Sequence, residues 1–192
     1  MKSFKWLLLA IILLPILSSC GYNKMVGLEE GVDAQWAQVE NVYQRRADLI
    51  PNLVQTVKGY ASHEKETLEA VIEARAKATS VNISADQLNE KTFDQFQSAQ
   101  QGLSGALSRL MVVMERYPDL KANQNFMDLQ AQLEGSENRI TVERQKFNEA
   151  VRLYNTKIRS FPQVIYAGWF GFEKKPFFQA EEKAKEVPKV EF

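Results

Sequence analysis

The chain of 192 residues contains one Cys and one His. A single Cys excludes an internal disulfide and every multi-cysteine metal site. A single His excludes any centre that needs two imidazoles. Basic and acidic side chains number 24 each, so the chain has no positive surplus with which to hold nucleic acid, and no nucleic-acid partner is expected. No Gly-rich phosphate loop and no Gly-x-Ser-x-Gly elbow is present. His63-Glu64-Lys65-Glu66-Thr67 opens like a zinc-protease helix, but Thr67 stands where the second imidazole belongs. Tyr60, three residues before His63, removes the Glu-x-x-His pair of a di-iron bundle. His63 therefore reads as a solvated side chain. No metal, cofactor or catalytic residue is expected, and a hydrolase working through carboxylates alone is a remote alternative. A hydrophobic share of 45% nevertheless demands a folded core.

What is present begins at the N-terminus. Lys2 and Lys5 precede an apolar run from Trp6 to Leu17. That run contains Pro15 and falls short of the about 20 residues a spanning helix needs. Leu17-Ser18-Ser19-Cys20 follows and resembles a bacterial lipobox. In such precursors residues 1–19 are removed as a signal peptide and the Cys20 thiol carries diacylglycerol. The alternative is an uncleaved signal anchor with a chance Cys. Two or three acyl chains anchor stably where one does not. The cut removes only Lys2 and Lys5 and leaves a nearly neutral body, so lipid rather than charge would hold it to the bacterial membrane. Gly21 stands where an Asp would resemble an inner-membrane retention signal; in a two-membrane host this favours the outer membrane, facing the periplasm. Residues 20–23 link the anchor to the body.

From Lys24 the periodicity is helical. Trp36, Val39, Tyr43, Arg46, Ile50, Leu53, Val57 and Tyr60 follow one another at alternating steps of three and four, which is a heptad seam. The seam passes Pro51 in phase. One helix over 24–79, kinked at Pro51, is the first reading; two helices broken at Asp48-Leu49-Ile50-Pro51 is the second. Thr79 to Ser84 reads as a loop, with Ser84 as N-cap and Gln87 completing a capping-box spacing. A second long helix carries Phe96, Ala99, Leu103, Ala106, Leu110, Val113 and Tyr117, with Gly102 and Gly105 as places for another backbone to approach closely. A third runs from near Lys121 to about Ser160 on Phe126, Leu129, Leu133, Ile140, Phe147, Val151, Tyr154 and Ile158. Phe161 to Phe172 is dense in aromatics and could form one short helix starting at Pro162. Residues 173–192 read as a flexible charged tail. The fold expected is all-α, an elongated antiparallel bundle of three long helices, or four if the first is broken near Pro51, plus a short C-terminal helical segment.

Polar residues interrupt the apolar stripes. Arg46 holds a seam position, and Glu137, Asn138, Arg139 and Arg144 intrude on the third helix. They read as interhelical pairs that fix alignment, or as a groove for a peptide or glycan. Asn52, Asn123 and Asn155 could do the same or cap local turns. Tyr166, Trp169, Phe170 and Phe172 form either a hydrophobic plug or an exposed patch for a partner or membrane. Pro188 to Phe192 alternates and could add a strand to a partner, or simply fray.

Several runs resemble the LemA family of bacterial envelope proteins. They include Arg45-Arg46-Ala47-Asp48-Leu49-Ile50-Pro51-Asn52-Leu53-Val54, Val57-Lys58-Gly59-Tyr60-Ala61 with His63-Glu64, and Tyr117-Pro118-Asp119-Leu120-Lys121-Ala122-Asn123. Glu137-Asn138-Arg139-Ile140, Phe147-Asn148, Tyr154-Asn155 and Phe161-Pro162 add to it. The resemblance spans residues 24–172 and beyond. It implies a helical bundle held at a membrane by its N-terminus, with no established enzymatic activity. A membrane-anchored, non-catalytic scaffold or adaptor, acting on an unidentified envelope protein or as a homo-oligomer, is the function expected. A ligand-capture sensor switching at Pro51 is the alternative.

Overall fold

The structure is a computed structural model. It describes residues 2–179, with side chains from Gly21 onward. The signal-peptide and lipobox side chains, Cys20 included, and the alternation at Pro188 to Phe192 lie outside the described residues. Five α-helices and no strand are found among the described residues. They are α1 (Lys2–Lys58), α2 (Lys65–Ser80), α3 (Glu90–Met114), α4 (Pro118–Lys121) and α5 (Gln124–Arg159). The fold is all-α, and α1 and α5 run antiparallel down its length. Gln35 bonds Glu143, Arg46 bonds Glu137 and Tyr154 bonds Glu29, so numbers fall along one helix as they rise along the other. The α2–α3 hairpin packs beside them.

The seam of α1 is buried from Trp36 through Val57 at all seven positions, and only Tyr60 emerges. The break at Pro51 is not found, and the first helix does not extend to residue 79. The helix passes Pro51 unbroken and stops at Lys58, well short of 79. The Val57 carbonyl takes both the Tyr60 amide at 3.0 Å and the Ala61 amide at 2.8 Å, which closes the helix at Gly59. Ala61 is fully buried, and its carbonyl receives the Glu64 amide at 3.1 Å on the way into α2. The chain thus reverses at 59–64, and the long helices number four. Pro51 has no N–H to give the Ala47 carbonyl one turn back. Arg75 of α2 supplies the missing donor, Nε to Ala47 oxygen at 2.8 Å. The defect that Pro51 makes in α1 is repaired by the neighbouring helix.

Other boundaries move for local reasons. Ser84 makes no side-chain cap; it precedes only a 3-10 turn at Ala85–Gln87. The capping box sits at Asn89 and Thr92, each side chain bonding the other's backbone amide. Ile83 and Leu88 are buried on either side of the turn, and this pins the connection and delays α3. Gly102 and Gly105 are not contact points: a Cβ on either would meet nothing within 4 Å. Asn123 caps α5 by accepting from the Phe126 amide at 3.1 Å. Past α5 the chain makes two 3-10 turns, Gln163–Ile165 and Gly168–Phe170, instead of one helix from Pro162. Gly171 then takes a φ of 80°, a conformation suited to glycine.

Residues 173–179, expected as the start of a flexible tail, are ordered against the bundle. Residues 173–179 lie along α5 as an extended strap. Asn155 gives its Nδ2 to the Lys175 carbonyl and accepts the Lys175 amide on Oδ1, at 2.9 and 3.0 Å. Asn148 holds the Phe178 carbonyl and amide in the same way, at 3.0 and 2.8 Å. The fit is geometric: seven helical residues rise about 10.5 Å, and three extended ones span about 10 Å. Phe178 enters the core 4.6 Å from the Phe93 ring and 5.5 Å from that of Phe147. Apolar burial therefore outweighs the charge that made the segment read as a tail. The rest of that tail, from residue 180, lies outside the described residues.

Replacing Arg75 by Met is expected to lower stability by about 1–2 kcal/mol. In a Pro51→Ala background the helix amide returns to the Ala47 carbonyl, and the same replacement should cost less than half as much. Urea midpoints of the four proteins measure this coupling; equal costs in both backgrounds would contradict the repair.

Candidate functional site

The core is divided. One apolar block surrounds Trp36 with Phe93, Phe96, Phe147 and Phe178; the other surrounds Ile50, Leu53, Leu103, Leu110 and Phe126. Arg46 lies between them, 1% exposed. Its Nη1 donates to Glu137 Oε1 at 2.7 Å and Ser104 Oγ at 2.8 Å, and its Nη2 donates to Gln100 Oε1 at 2.7 Å. Gln100 passes the bond on to the Ala78 carbonyl at 3.2 Å. One guanidinium so ties α1 to α3 and α5 directly, and to α2 through Gln100. It also lies 5.2 Å from the Tyr43 ring centre, and burial raises the Tyr43 hydroxyl pKa. The Arg46 Nε alone is buried without a partner.

Of the five polar residues singled out in the sequence, only Arg46 and Glu137 meet. Asn138 and Arg139 are exposed. Arg144 serves the strap, with Nη2 on the Gln179 carbonyl at 3.0 Å and the guanidinium 4.7 Å from the Phe178 ring centre. Gln100 and Ser104 gave no sequence signal beyond being polar on the apolar side of α3. Asn155, read as an alignment residue or local cap, is a clamp on the strap, and Asn148 stands seven residues before it. That heptad pair of amides was the available clue.

Beyond the strap lies a second polar group. Lys175 Nζ stands 3.5 Å from Glu29 Oε1 and 3.4 Å from the Ala85 carbonyl. The Tyr154 hydroxyl donates to Glu29 at 3.2 Å, and its pKa is raised by burial and by the Glu29 charge. Asp33 Oδ1 is buried without a partner. Burial lifts the Asp33 carboxyl above its ordinary pKa, Lys175 opposes that lift, and Glu29 adds to it.

The two ends of the bundle differ. At the N-terminal end the aromatic segment folds over α1. Gln163, Ala167 and Phe172 are buried, Tyr166 is half-buried, and Trp169 and Phe170 are exposed. The Tyr166 hydroxyl lies directly against Gly21, where a Cβ would make that side-chain end shift. Tyr22 meets Phe170 and Phe172 edge-on at 5.2 and 5.5 Å. The segment is thus a plug on one side and an open apolar face on the other. At the far end, two runs distant in sequence, 60–64 and 116–123, converge. Glu64 Oε1 accepts from Arg116 Nη2 at 2.9 Å and from the Tyr117 hydroxyl at 2.8 Å. Asn123 Nδ2 donates to the Tyr60 hydroxyl at 2.9 Å. His63 is exposed beside them. No group of three His, Cys, Asp or Glu side chains arranged to hold a metal ion occurs among the described residues. No helix among them is long and apolar enough to cross a membrane.

Glu137→Ala removes the carboxylate from a buried guanidinium and is expected to cost about 1–3 kcal/mol, held down because Glu137 is 47% exposed and Ser104 and Gln100 still accept from Arg46. Arg46→Met, which removes the buried charge, should cost less. Denaturant titration of both variants checks this, and a larger loss for Arg46→Met would contradict it. Asp33→Asn is expected to stabilise the protein at neutral pH. The raised native pKa makes ionised Asp33 a liability, and protonation relieves it as pH falls toward the ordinary carboxylate value. The gain should therefore shrink between neutral pH and about pH 4; melting curves across that range that show a constant gain would refute it.

Known proteins resemble this chain over most of its length. Magnetosome protein MamQ 2 of Paramagnetospirillum magneticum is 28% identical, covering 87% of this chain and 67% of its own. Magnetosome protein MamQ of Magnetospirillum gryphiswaldense is 26% identical with the same coverage. Protein LemA of Metamycoplasma hominis is 24% identical, covering 83% of this chain and 69% of its own. The family model described as the LemA family matches residues 35–192, a stretch that holds the Arg46 layer, the strap and the far-end network, and the chain belongs to that family.

Proposed function

We propose that this protein is a non-catalytic scaffold of the bacterial cell envelope, tethered at Cys20 and presenting a polar tip to a partner protein. The observation that carries the reading is the course of α1. It runs without interruption from the Cys20 end to the turn at 59–64, about 57 Å for the residues from Gly21 onward. A lipid at Cys20 would hold one end at the membrane, and the tip of Tyr60, Glu64, Arg116, Tyr117 and Asn123 would stand out at the other. The tip suits recognition: Tyr60 is exposed, Tyr117 half-buried, and both are oriented by hydrogen bonds. Of the buried polar side chains, Arg46, Gln100 and Asn155 bond across elements and so tie them together, while Ser136 bonds within its helix.

A photo-crosslinking residue at Tyr60 or Asp119 in living cells should give a discrete adduct, while one at exposed Gln101 on the shaft should not. Cys20→Ser should abolish both membrane association and the adduct. Identical crosslinking at tip and shaft, or full retention in the membrane without Cys20, would refute the reading.

A further inference from the structure

The open side of the aromatic segment is unusual in its apolar density. Trp169 is 82% exposed, Phe161 80%, Phe170 60%, Ile165 56% and Val164 54%. These five residues fall within ten positions, Phe161 just before and the other four on two 3-10 turns whose other side is closed down by Ala167, Gln163 and Phe172. The turns are therefore held in place, and the apolar side chains face outward from a fixed base. Folding does not explain them, since their burial contributes little to the core.

Their position does. Tyr166 and Gln163 lie against Gly21, and Phe170 against Tyr22, so the face sits at the level where α1 leaves the body. Cys20, the residue proposed to carry the lipid, is the next one toward the N-terminus. Lys24 and Arg159 are exposed near the same end, placed by the antiparallel pairing of α1 with the end of α5. Aromatic side chains at the end of an apolar anchor, with cations a turn behind, are the arrangement of a membrane interface.

We propose that Phe161, Val164, Ile165, Trp169 and Phe170 form a collar that enters the lipid headgroup layer beside the anchor. This rests on the tethered reading above and deepens it. A lipid on one cysteine is a swivel; a collar at the base gives the rod a second point of attachment and holds it upright.

Trp169 is its own probe. The other tryptophans are Trp6 and Trp36, and Trp36 is buried among aromatic rings. The full chain carrying Trp6→Phe, purified from membranes, is reconstituted into phosphatidylcholine vesicles with and without bromine near the top of the acyl chains. Intact mass reports the lipid on Cys20, and flotation reports binding. Loss of most of the Trp169 emission in brominated vesicles, with no loss when Trp169→Phe leaves only Trp36, is the expected result. Phe161→Ser with Ile165→Ser, both at exposed positions, should leave the melting temperature unchanged and weaken the quenching. Emission indifferent to bromine but quenched by iodide in the water overturns the collar, as does failure to float. Mass showing an unmodified Cys20 on a chain that still floats and is still quenched overturns the lipid tether and leaves the collar standing.

Discussion

A single buried guanidinium draws its hydrogen-bond partners from two other helices at one level of the bundle. Arg46 sits where the heptad seam of α1 calls for an apolar residue, and it is as hidden as its apolar neighbours. Burying an unpaired charge is costly, so α3 must bring Gln100 and Ser104, and α5 must bring Glu137, to the same height. An apolar seam alone tolerates a slip of one heptad, because one Leu or Val replaces another. A slip here would strand Arg46 among hydrocarbon. Polar groups at seam positions cost something in stability and favour the alignment that pairs them, and here the pairing falls between the two apolar blocks.

The same logic of donors and acceptors runs through the rest of the chain. Pro51 leaves a carbonyl unserved, and Arg75 answers it from another helix. The strap has no strand to pair with, and two side-chain amides take that part, at a spacing that suits a helix on one side and an extended chain on the other. In each case a side chain supplies what regular secondary structure cannot, and the helices are locked to one another as a result.

The seam from Trp36 to Val57, the stripe of α5 and the all-α class could be read from spacing, because burial on a helix face repeats at 3.6 residues. The end of α1 could not. Phase persists through Tyr60, and only the double acceptance at the Val57 carbonyl marks the stop. The strap was illegible for a related reason. Lys174, Lys175 and Pro176 read as solvated chain, while the decisive group, Phe178, stands beside Phe177 outside any helical stripe and reads only as part of the aromatic patch. Of the candidate site, Arg46 was visible as a charge on a seam and Glu137 as a charge breaking a stripe, but their pairing needed the antiparallel offset of α1 and α5. Gly102 and Gly105 misled, since a missing Cβ marks close approach only where another chain comes near, as Tyr166 does at Gly21.

The layer links the two ends. If Arg46 sets the alignment, the tip and the collar are held in fixed relation along one rod. Spin labels on exposed Gln38 of α1 and Gln145 of α5 lie at one level by the observed pairing and report the offset of the two helices. The distance distribution should be single and narrow in the native protein, and in Arg46→Met it should broaden or gain a second population displaced by about 10 Å, one heptad. An unchanged narrow distribution in Arg46→Met would show that the apolar blocks align the bundle without the guanidinium.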